Sequence, residues 1–221
     1  MNARGFITLV LAGALALGTA PATTKAPTSS SALAELKAGN ERFAGHHTTH
    51  PHQTTARRSE LAGGQRPHAV ILACADSRVA PEIVFDQGLG DLFTVRVAGN
   101  IAGDAEIASI EYAVEHLHTP LIVVMGHQSC GAVGAAIEGG EAPGHLPALI
   151  SAIEPSVTKA RTMQGDLSDN AIRLNVQAVV AQLAASHPIL AEHVAQGTLK
   201  VVGAVYSLKT GHVTWVSDNA P

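Results

Sequence analysis

Three short apolar runs, each followed by polar turn residues and then by a helical pattern, most constrain the fold of this 221-residue chain. The runs are HAVILAC (68–74), LFTVRVA (92–98) and PLIVVMGH (120–127). Between the second and third runs, GDAEIASIEYAVEHLH repeats its apolar residues at spacings of 3, 4 and 3, the period of a helix that packs by one face. Strands that alternate with helices predict a largely parallel sheet with helices on both faces.

Capping residues and turn residues predict the secondary structure at both ends of the folded region. SALAELKAGNERFAG predicts an N-terminal helix that ends at Gly45, and SDNAIRLNVQAVVAQLAAS predicts a later helix capped near Ser168 or Asp169. TLKVVGAVYSL and HVTWVS, joined by the turn 209–211, predict a hairpin. The predicted fold class is therefore α/β: a central, largely parallel sheet with helices on both faces and an antiparallel C-terminal edge hairpin.

The N-terminus has the features of a secretory signal peptide. Residues 1–22 combine a basic start, an apolar run that is too short to cross a bilayer, and a small-residue exit. Residues 23–31 are rich in Thr, Ser, Pro and Ala, which is typical of a tether. We therefore expect an exported protein, periplasmic or secreted, with a single domain over residues 32–221.

Composition and charge exclude several partner classes. The formal net charge is -4, with no basic stripe of the kind that binds nucleic acid or anionic lipid. Hydrophobic residues make up 46% of the chain and charged residues 14%, as in globular proteins with a substantial core. No segment after the signal peptide is long and uncharged enough to span a membrane, so we expect no membrane or nucleic-acid partner.

Residues 46–52 contain four histidines in seven positions and show no periodicity. A solvent-exposed loop is the first interpretation of this histidine-rich segment. Accessory metal binding is the alternative.

The two cysteines of the chain follow two of the predicted strands. Cys74 ends the first strand and Cys130 lies just past the third, and ligands of open parallel sheets gather outside the carboxyl ends of the strands. Asp76 lies close to Cys74 in sequence, and His127 lies close to Cys130. Two thiols, an imidazole and a carboxylate form a tetrahedral zinc set rather than a magnesium or calcium set. A disulfide between the two cysteines is the alternative in an exported chain.

Two motifs, CADSR (74–78) and HQSC (127–130), resemble the C-x-D-x-R and H-x-x-C pair of β-class carbonic anhydrases. The stretches FDQGLGDLFTVRVAGN, IEYAVEHL and LIVVMGH extend the resemblance, which covers about residues 31–215. It implies one zinc per subunit, with Cys74, His127 and Cys130 as ligands and either water or Asp76 in the fourth position. It also implies that Arg78 pairs with Asp76 and removes this carboxylate from the metal. The implied reaction is the reversible hydration of carbon dioxide to bicarbonate and a proton, by attack of a zinc-bound hydroxide.

The resemblance further implies substrate contacts and an oligomer. The backbone N–H of Gly131 is expected to donate to an anionic oxygen. Gln87, beside the position of a substrate-contacting glutamine of the family, and Tyr112 are expected to line the pocket. The family forms homodimers or homotetramers with the pocket at the subunit boundary. Two other functions stay open: hydrolysis of carbon disulfide or carbonyl sulfide at the same site, and zinc storage that uses the histidine-rich segment.

Overall fold

The computed structural model describes residues 26–218, which contain one five-stranded sheet and eight α-helices. The strands are β1 (Ala69–Ala73), β2 (Leu92–Arg96), β3 (Leu121–His127), β4 (Lys200–Tyr206) and β5 (Val213–Asp218). The helices are α1 (Ser29–Ala44), α2 (Thr55–Leu61), α3 (Pro81–Val84), α4 (Asp104–Glu115), α5 (Gly131–Glu138), α6 (Leu146–Ala160), α7 (Leu167–Ala184) and α8 (Ile189–Ala195). The signal peptide that the sequence predicts at residues 1–22 lies outside the described residues.

The sheet confirms the predicted fold class. Its strand order is β2-β1-β3-β4-β5, with β1 to β4 parallel and β5 antiparallel to β4. Every residue of β1 and β3 is buried, as expected for central parallel strands that are covered on both faces. The C-terminal edge hairpin is therefore confirmed as well.

Alternate residues of the strands face two separate hydrophobic cores. On one face, Val70, Leu72 and Val124 pack with apolar residues of α4 to α8. On the other face, Ile71 and Val123 pack with Leu33 and Leu36 of α1 and with residues of and around α3. Helix α1 therefore buries its apolar side against the sheet of its own chain.

The helix boundaries differ from the sequence predictions at three places. α1 begins at Ser29, inside the segment 23–31 that the sequence assigns to a tether, because the Thr28 side chain caps it. α7 begins at Leu167, since Asp166, rather than Ser168 or Asp169, accepts from the N–H of Asp169. α2 was not predicted, because TARRSEL has no helical apolar period and none of its residues is buried.

The order of the strands creates a switch point between β1 and β3. From β1 the chain leads to β2 on one side, whereas from β3 it leads to β4 on the other. The loops that follow these two neighbouring strands therefore diverge and leave a crevice at the carboxyl edge of the sheet, where ligands of such folds bind. Among the described residues, the helices are too short or too polar to cross a bilayer.

Candidate metal centre

The two cysteines converge at this crevice. Cys74 directly follows β1, and Cys130 precedes the first residue of α5. Both side chains are buried, and their Sγ atoms are 3.9 Å apart. This distance is nearly twice the length of an S–S bond, about 2.05 Å, and both cysteines are free thiols, so the disulfide alternative is not the state observed.

His127, the last residue of β3, completes a three-residue group with the two cysteines. The two Sγ atoms and a ring nitrogen of His127 all lie within 4.8 Å of one another. The imidazole is fully buried, with Nδ1 2.9 Å from the carbonyl oxygen of Gln128. A carbonyl only accepts hydrogen bonds, so Nδ1 carries the proton and Nε2 presents a lone pair.

Nε2 of His127 is buried and has no hydrogen-bond partner. An unpaired buried acceptor is costly and rare in native proteins. A soft divalent cation between Nε2 and the two sulfurs would satisfy this lone pair, and the donor set of two thiolates and one imidazole fits zinc. The residues at this site therefore fit the metal that the sequence predicts.

The two sulfurs are close enough to form a hydrogen bond with each other. This contact lowers the pKa of Cys74 and, together with burial, raises the pKa of Cys130. A metal bound here would displace the thiol protons, because thiolates rather than thiols bind metals.

Asp76 lies beside the three donors but is held by Arg78. The Arg78 guanidinium donates from Nε to Oδ1 at 2.9 Å and from Nη2 to Oδ2 at 2.7 Å, and the Arg78 N–H also donates to Oδ1. These bonds from Arg78 hold the pKa of Asp76 well below its usual range. Oδ2 is 3.9 Å from Nε2 of His127, so the carboxylate lies next to the group and remains an ionised acceptor there.

Three residues of this site were missed by the sequence reasoning. The first is Arg96, the last residue of β2, which donates from Nε to the carbonyl of Cys74 at 3.1 Å and from Nη2 to the carbonyl of Asp76 at 2.7 Å. A charged residue inside the apolar run LFTVRVA was the signal available in the sequence.

The other two are Gly99 and Asn175. The N–H of Gly99 donates to Sγ of Cys74 at 3.3 Å, and the buried Asn175 donates from Nδ2 to the carbonyl of Gly99 at 2.8 Å. Gly99 has a φ of 71°, and a Cβ there would lie 2.7 Å from Cδ1 of Ile153. The positive φ favours glycine at this position, and Asn175 fixes the residue whose N–H faces the sulfur.

The residues predicted to contact substrate are more scattered. Gly131 begins α5 next to Cys130, with open space beside its Cα. Gln87 is buried and donates to the carbonyl of Phe85, while the ring of the half-exposed Tyr112 contacts Phe93 and His116. Of the three, only Gly131 directly adjoins the metal-donor group in sequence and structure.

The histidine-rich segment forms no second metal group within residues 26–218, where the only cluster of three or more metal-donor side chains is Cys74, His127 and Cys130. Its four histidines are exposed, which confirms the loop interpretation. Its backbone is nevertheless fixed: the N–H groups of Thr49 and His50 both donate to the carboxylate of Asp86.

Comparison with known proteins agrees with this geometry. The family model described as carbonic anhydrase matches residues 69–213. Carbonic anhydrase 2 of Mycobacterium tuberculosis is 47% identical over 180 residues, which cover 80% of this chain and 87% of that protein. The carbonic anhydrase of Mycolicibacterium smegmatis is 45% identical over 182 residues, covering 80% and 88%.

Solved structures extend the comparison. The Coccomyxa β-carbonic anhydrase in complex with acetazolamide is 32% identical, with a TM-score of 0.66 and coverage of 80% of each chain. A tetrameric β-carbonic anhydrase of Sordaria macrospora is 27% identical, with a TM-score of 0.69 and coverage of 83% of this chain and 96% of that one. Taken with the Cys-His-Cys group at the carboxyl edge of the sheet, these matches show that the chain belongs to the β-class carbonic anhydrases.

Proposed function

We propose that this enzyme catalyses the zinc-dependent, reversible hydration of carbon dioxide to bicarbonate and a proton. The observation that carries the proposal is the buried lone pair of His127 Nε2, which faces two cysteine sulfurs while the neighbouring carboxylate of Asp76 is turned to Arg78. Cys74, His127 and Cys130 would hold one zinc per subunit. With the Asp76 carboxylate held by Arg78, these three residues would leave one position of a tetrahedral zinc for water, as a catalytic zinc requires.

When bound, zinc would supply the nucleophile, because it lowers the pKa of a coordinated water so that hydroxide forms near neutral pH. The side chains of this chain would then bind and orient the reactants. Asp76, ionised because Arg78 lowers its pKa, accepts a hydrogen bond from the attacking oxygen and directs its lone pair toward carbon dioxide. The backbone N–H of Gly131, at the start of α5, donates to the oxygen that becomes negatively charged.

The carboxylate of Asp76 is the competitor for the accessible position. Arg78 prevents this competition by occupying both carboxylate oxygens. We therefore assign Asp76 and Arg78 as the catalytic pair, with Asp76 a metal ligand only when Arg78 releases it.

We also propose an exported homodimer or homotetramer. The signal-peptide features of residues 1–22 support export to the periplasm or the medium. The tetrameric relative from Sordaria macrospora supports an oligomer. Within the described chain Gln87 bonds to Phe85 and the Tyr112 ring contacts Phe93 and His116, so we assign their proposed contacts with substrate to a pocket at a subunit boundary.

The first test is stopped-flow hydration of carbon dioxide by the zinc-loaded protein from pH 6 to pH 9, with a chelator-treated control. We expect turnover that depends on zinc and rises with pH, because two thiolates neutralise the charge of the metal and make its water less acidic than at a three-histidine site. Zinc bound in full with no rate above buffer at any pH would contradict the proposal. The same sample would then be tested with carbon disulfide and carbonyl sulfide.

A further inference from the structure

Arg96 contacts the catalytic turn, residues 74–78, which carries Asp76 and Arg78. It ends the edge strand β2, directly opposite Ala73 of β1. Its guanidinium donates to two main-chain carbonyls, those of Cys74 and Asp76, which flank the segment 74–76. One side chain from a neighbouring strand thus holds both ends of the segment that presents a sulfur ligand and the catalytic carboxylate.

The ion pair between Asp76 and Arg78 does not fix this orientation. Both residues belong to the same turn, only two positions apart, and the side-chain contact of Arg78 outside this turn is a long bond of 3.4 Å from Nη2 to the carbonyl of Ser129. The Arg78 side chain is 52% exposed, and an exposed ion pair fixes a conformation only weakly because water competes for both partners. Shorter contacts from outside the turn are therefore needed to set the direction of the carboxylate.

Arg96 is not required for strand pairing, and it is not the only donor to the carbonyl of Asp76. Backbone bonds of Val97, which follows β2, already reach Ala73 of β1 and Ala75 in the middle of the segment 74–76, so Arg96 adds its contacts at the two ends of that segment. The carbonyl of Asp76 also accepts from the N–H of Val79. The two bonds from Arg96 are additional to this backbone pairing, so they are available for positioning the turn.

We infer that Arg96 is a positioning residue that ties the segment 74–76 to β2, so that Asp76 faces Arg78 and leaves the fourth metal position accessible. This inference rests on the proposed function. Without Arg96 the turn rotates, and the carboxylate, whose Oδ2 lies 3.9 Å from His127 Nε2, becomes a fourth ligand. The effect of Arg96 is therefore on access to the metal rather than on metal binding.

The test measures access without measuring turnover. The full chain is loaded with Co²⁺, which resembles zinc in ligand preference and has visible absorption bands, and thiocyanate is titrated at one fixed, mildly alkaline pH. The wild-type protein, Arg96→Met and Arg96→Lys are compared, with Arg161→Met as the matched control. Arg161, which directly follows α6, also donates to a main-chain carbonyl, that of Ile137 in α5 at 2.6 Å, away from the catalytic turn.

We expect full cobalt binding by all four proteins. Thiocyanate shifts the spectrum of the wild type and of Arg161→Met with equal affinity, whereas Arg96→Met binds the anion at least about 10-fold more weakly, the scale of outer-shell changes at metal sites. Arg96→Lys gives an intermediate affinity, because one ammonium group does not reproduce the planar fork that reaches both carbonyls.

Unchanged thiocyanate affinity in Arg96→Met with full cobalt overturns the inference and leaves the proposed function standing. A cobalt-loaded wild type that binds no anion overturns the proposed function itself, since its fourth position is then closed. If Arg96→Met fails to fold or to bind cobalt, Arg96→Lys decides: weaker anion binding supports the positioning role, and wild-type affinity overturns it.

Discussion

Two aspartates ten positions apart, Asp76 and Asp86, are each paired with an arginine, yet the two carboxylates have different neighbours and different exposure. Among the described residues, the hydrogen-bond donors to the Asp76 carboxylate all belong to Arg78, within one turn. Asp86 instead accepts from Nε of Arg42 at 2.6 Å, from the N–H and hydroxyl of Thr49, and from the N–H of His50, which lie 36 to 44 positions away.

Exposure separates the two carboxylates further. The side chain of Asp76 is 17% exposed, whereas that of Asp86 is 1% exposed. Burial alone would raise the pKa of Asp86, but the bonds from Thr49, Arg42 and His50 lower it to about 2. A carboxylate with one local, exposed partner is able to change partner, whereas a buried one that satisfies several remote donors is not. The first arrangement suits catalysis, and the second anchors the histidine-rich segment to the chain following α3.

The largest expected difference between the two sites is in turnover. Asp76→Asn keeps the size of the side chain but removes the charge that accepts from the attacking oxygen, so we expect kcat/KM for carbon dioxide to fall on the order of 100-fold. The melting temperature should change by at most about 2–4 °C, the equivalent of 1 kcal/mol in a chain of this size. Stopped flow and calorimetry measure the two effects on the same zinc-loaded sample. Turnover within threefold of wild type would remove Asp76 from the catalytic pair.

The two aspartates also show what the sequence could predict. The partner of Asp76 is two residues away and belongs to a recognisable motif, so the ion pair could be predicted. The partners of Asp86 are remote, and no local pattern connects Arg42 or Thr49 with it. The contacts of Arg96 are hidden for the same reason, since they depend on the pairing of β2 with β1.

The elements of the fold were predictable from periodicity, but their arrangement was less so. Alternating strands and helices predict a parallel sheet, whereas nothing local determines that β1 lies between β2 and β3. In the histidine-rich segment, exposure was predicted but the fixed backbone was not. His46, His50 and His52 adopt positive φ values of 60°, 47° and 54°, a conformation in which histidine is enriched, so these histidines fit turn positions.

A smaller effect is expected when the second aspartate is changed, and it should fall on stability. Asp86→Asn weakens the charge-assisted bonds from Arg42, Thr49 and His50, so we expect a loss of about 2 kcal/mol in the free energy of unfolding. The melting temperature should fall by about 4–8 °C, with kcat/KM unchanged within threefold. Loss of turnover with normal stability would reverse the roles assigned to the two aspartates.

This loss should depend on pH in a defined direction. The pKa of Asp86 is about 2 in the folded protein, below its ordinary value of 3.8. The stability that its charge contributes is therefore fully present above the ordinary value and disappears as the pH falls toward 2. The difference in urea midpoint between wild type and Asp86→Asn should be constant near neutral pH. It should shrink toward zero as the pH falls from about 4 to about 2. A difference that persists unchanged at pH 2 would mean that the charge of Asp86 is not what holds the segment.

The smallest expected effect distinguishes the bond to the Asp86 carboxylate from the other hydroxyl contacts of the histidine-rich segment. Thr49→Val keeps the β-branched shape but removes the hydroxyl that donates to Asp86 Oδ2 at 3.0 Å, so we expect a loss of about 1 kcal/mol. Thr48 is the matched control, because among the described residues its hydroxyl bonds to the exposed ring of His50 alone, and Thr48→Val should cost less than about 0.5 kcal/mol. In an Asp86→Asn background the cost of Thr49→Val should shrink, since the two groups interact directly. Equal costs for the two threonine variants, or additive losses in the double variant, would mean that hydroxyl contacts along the whole segment, and not the single buried carboxylate, fix the histidine-rich segment.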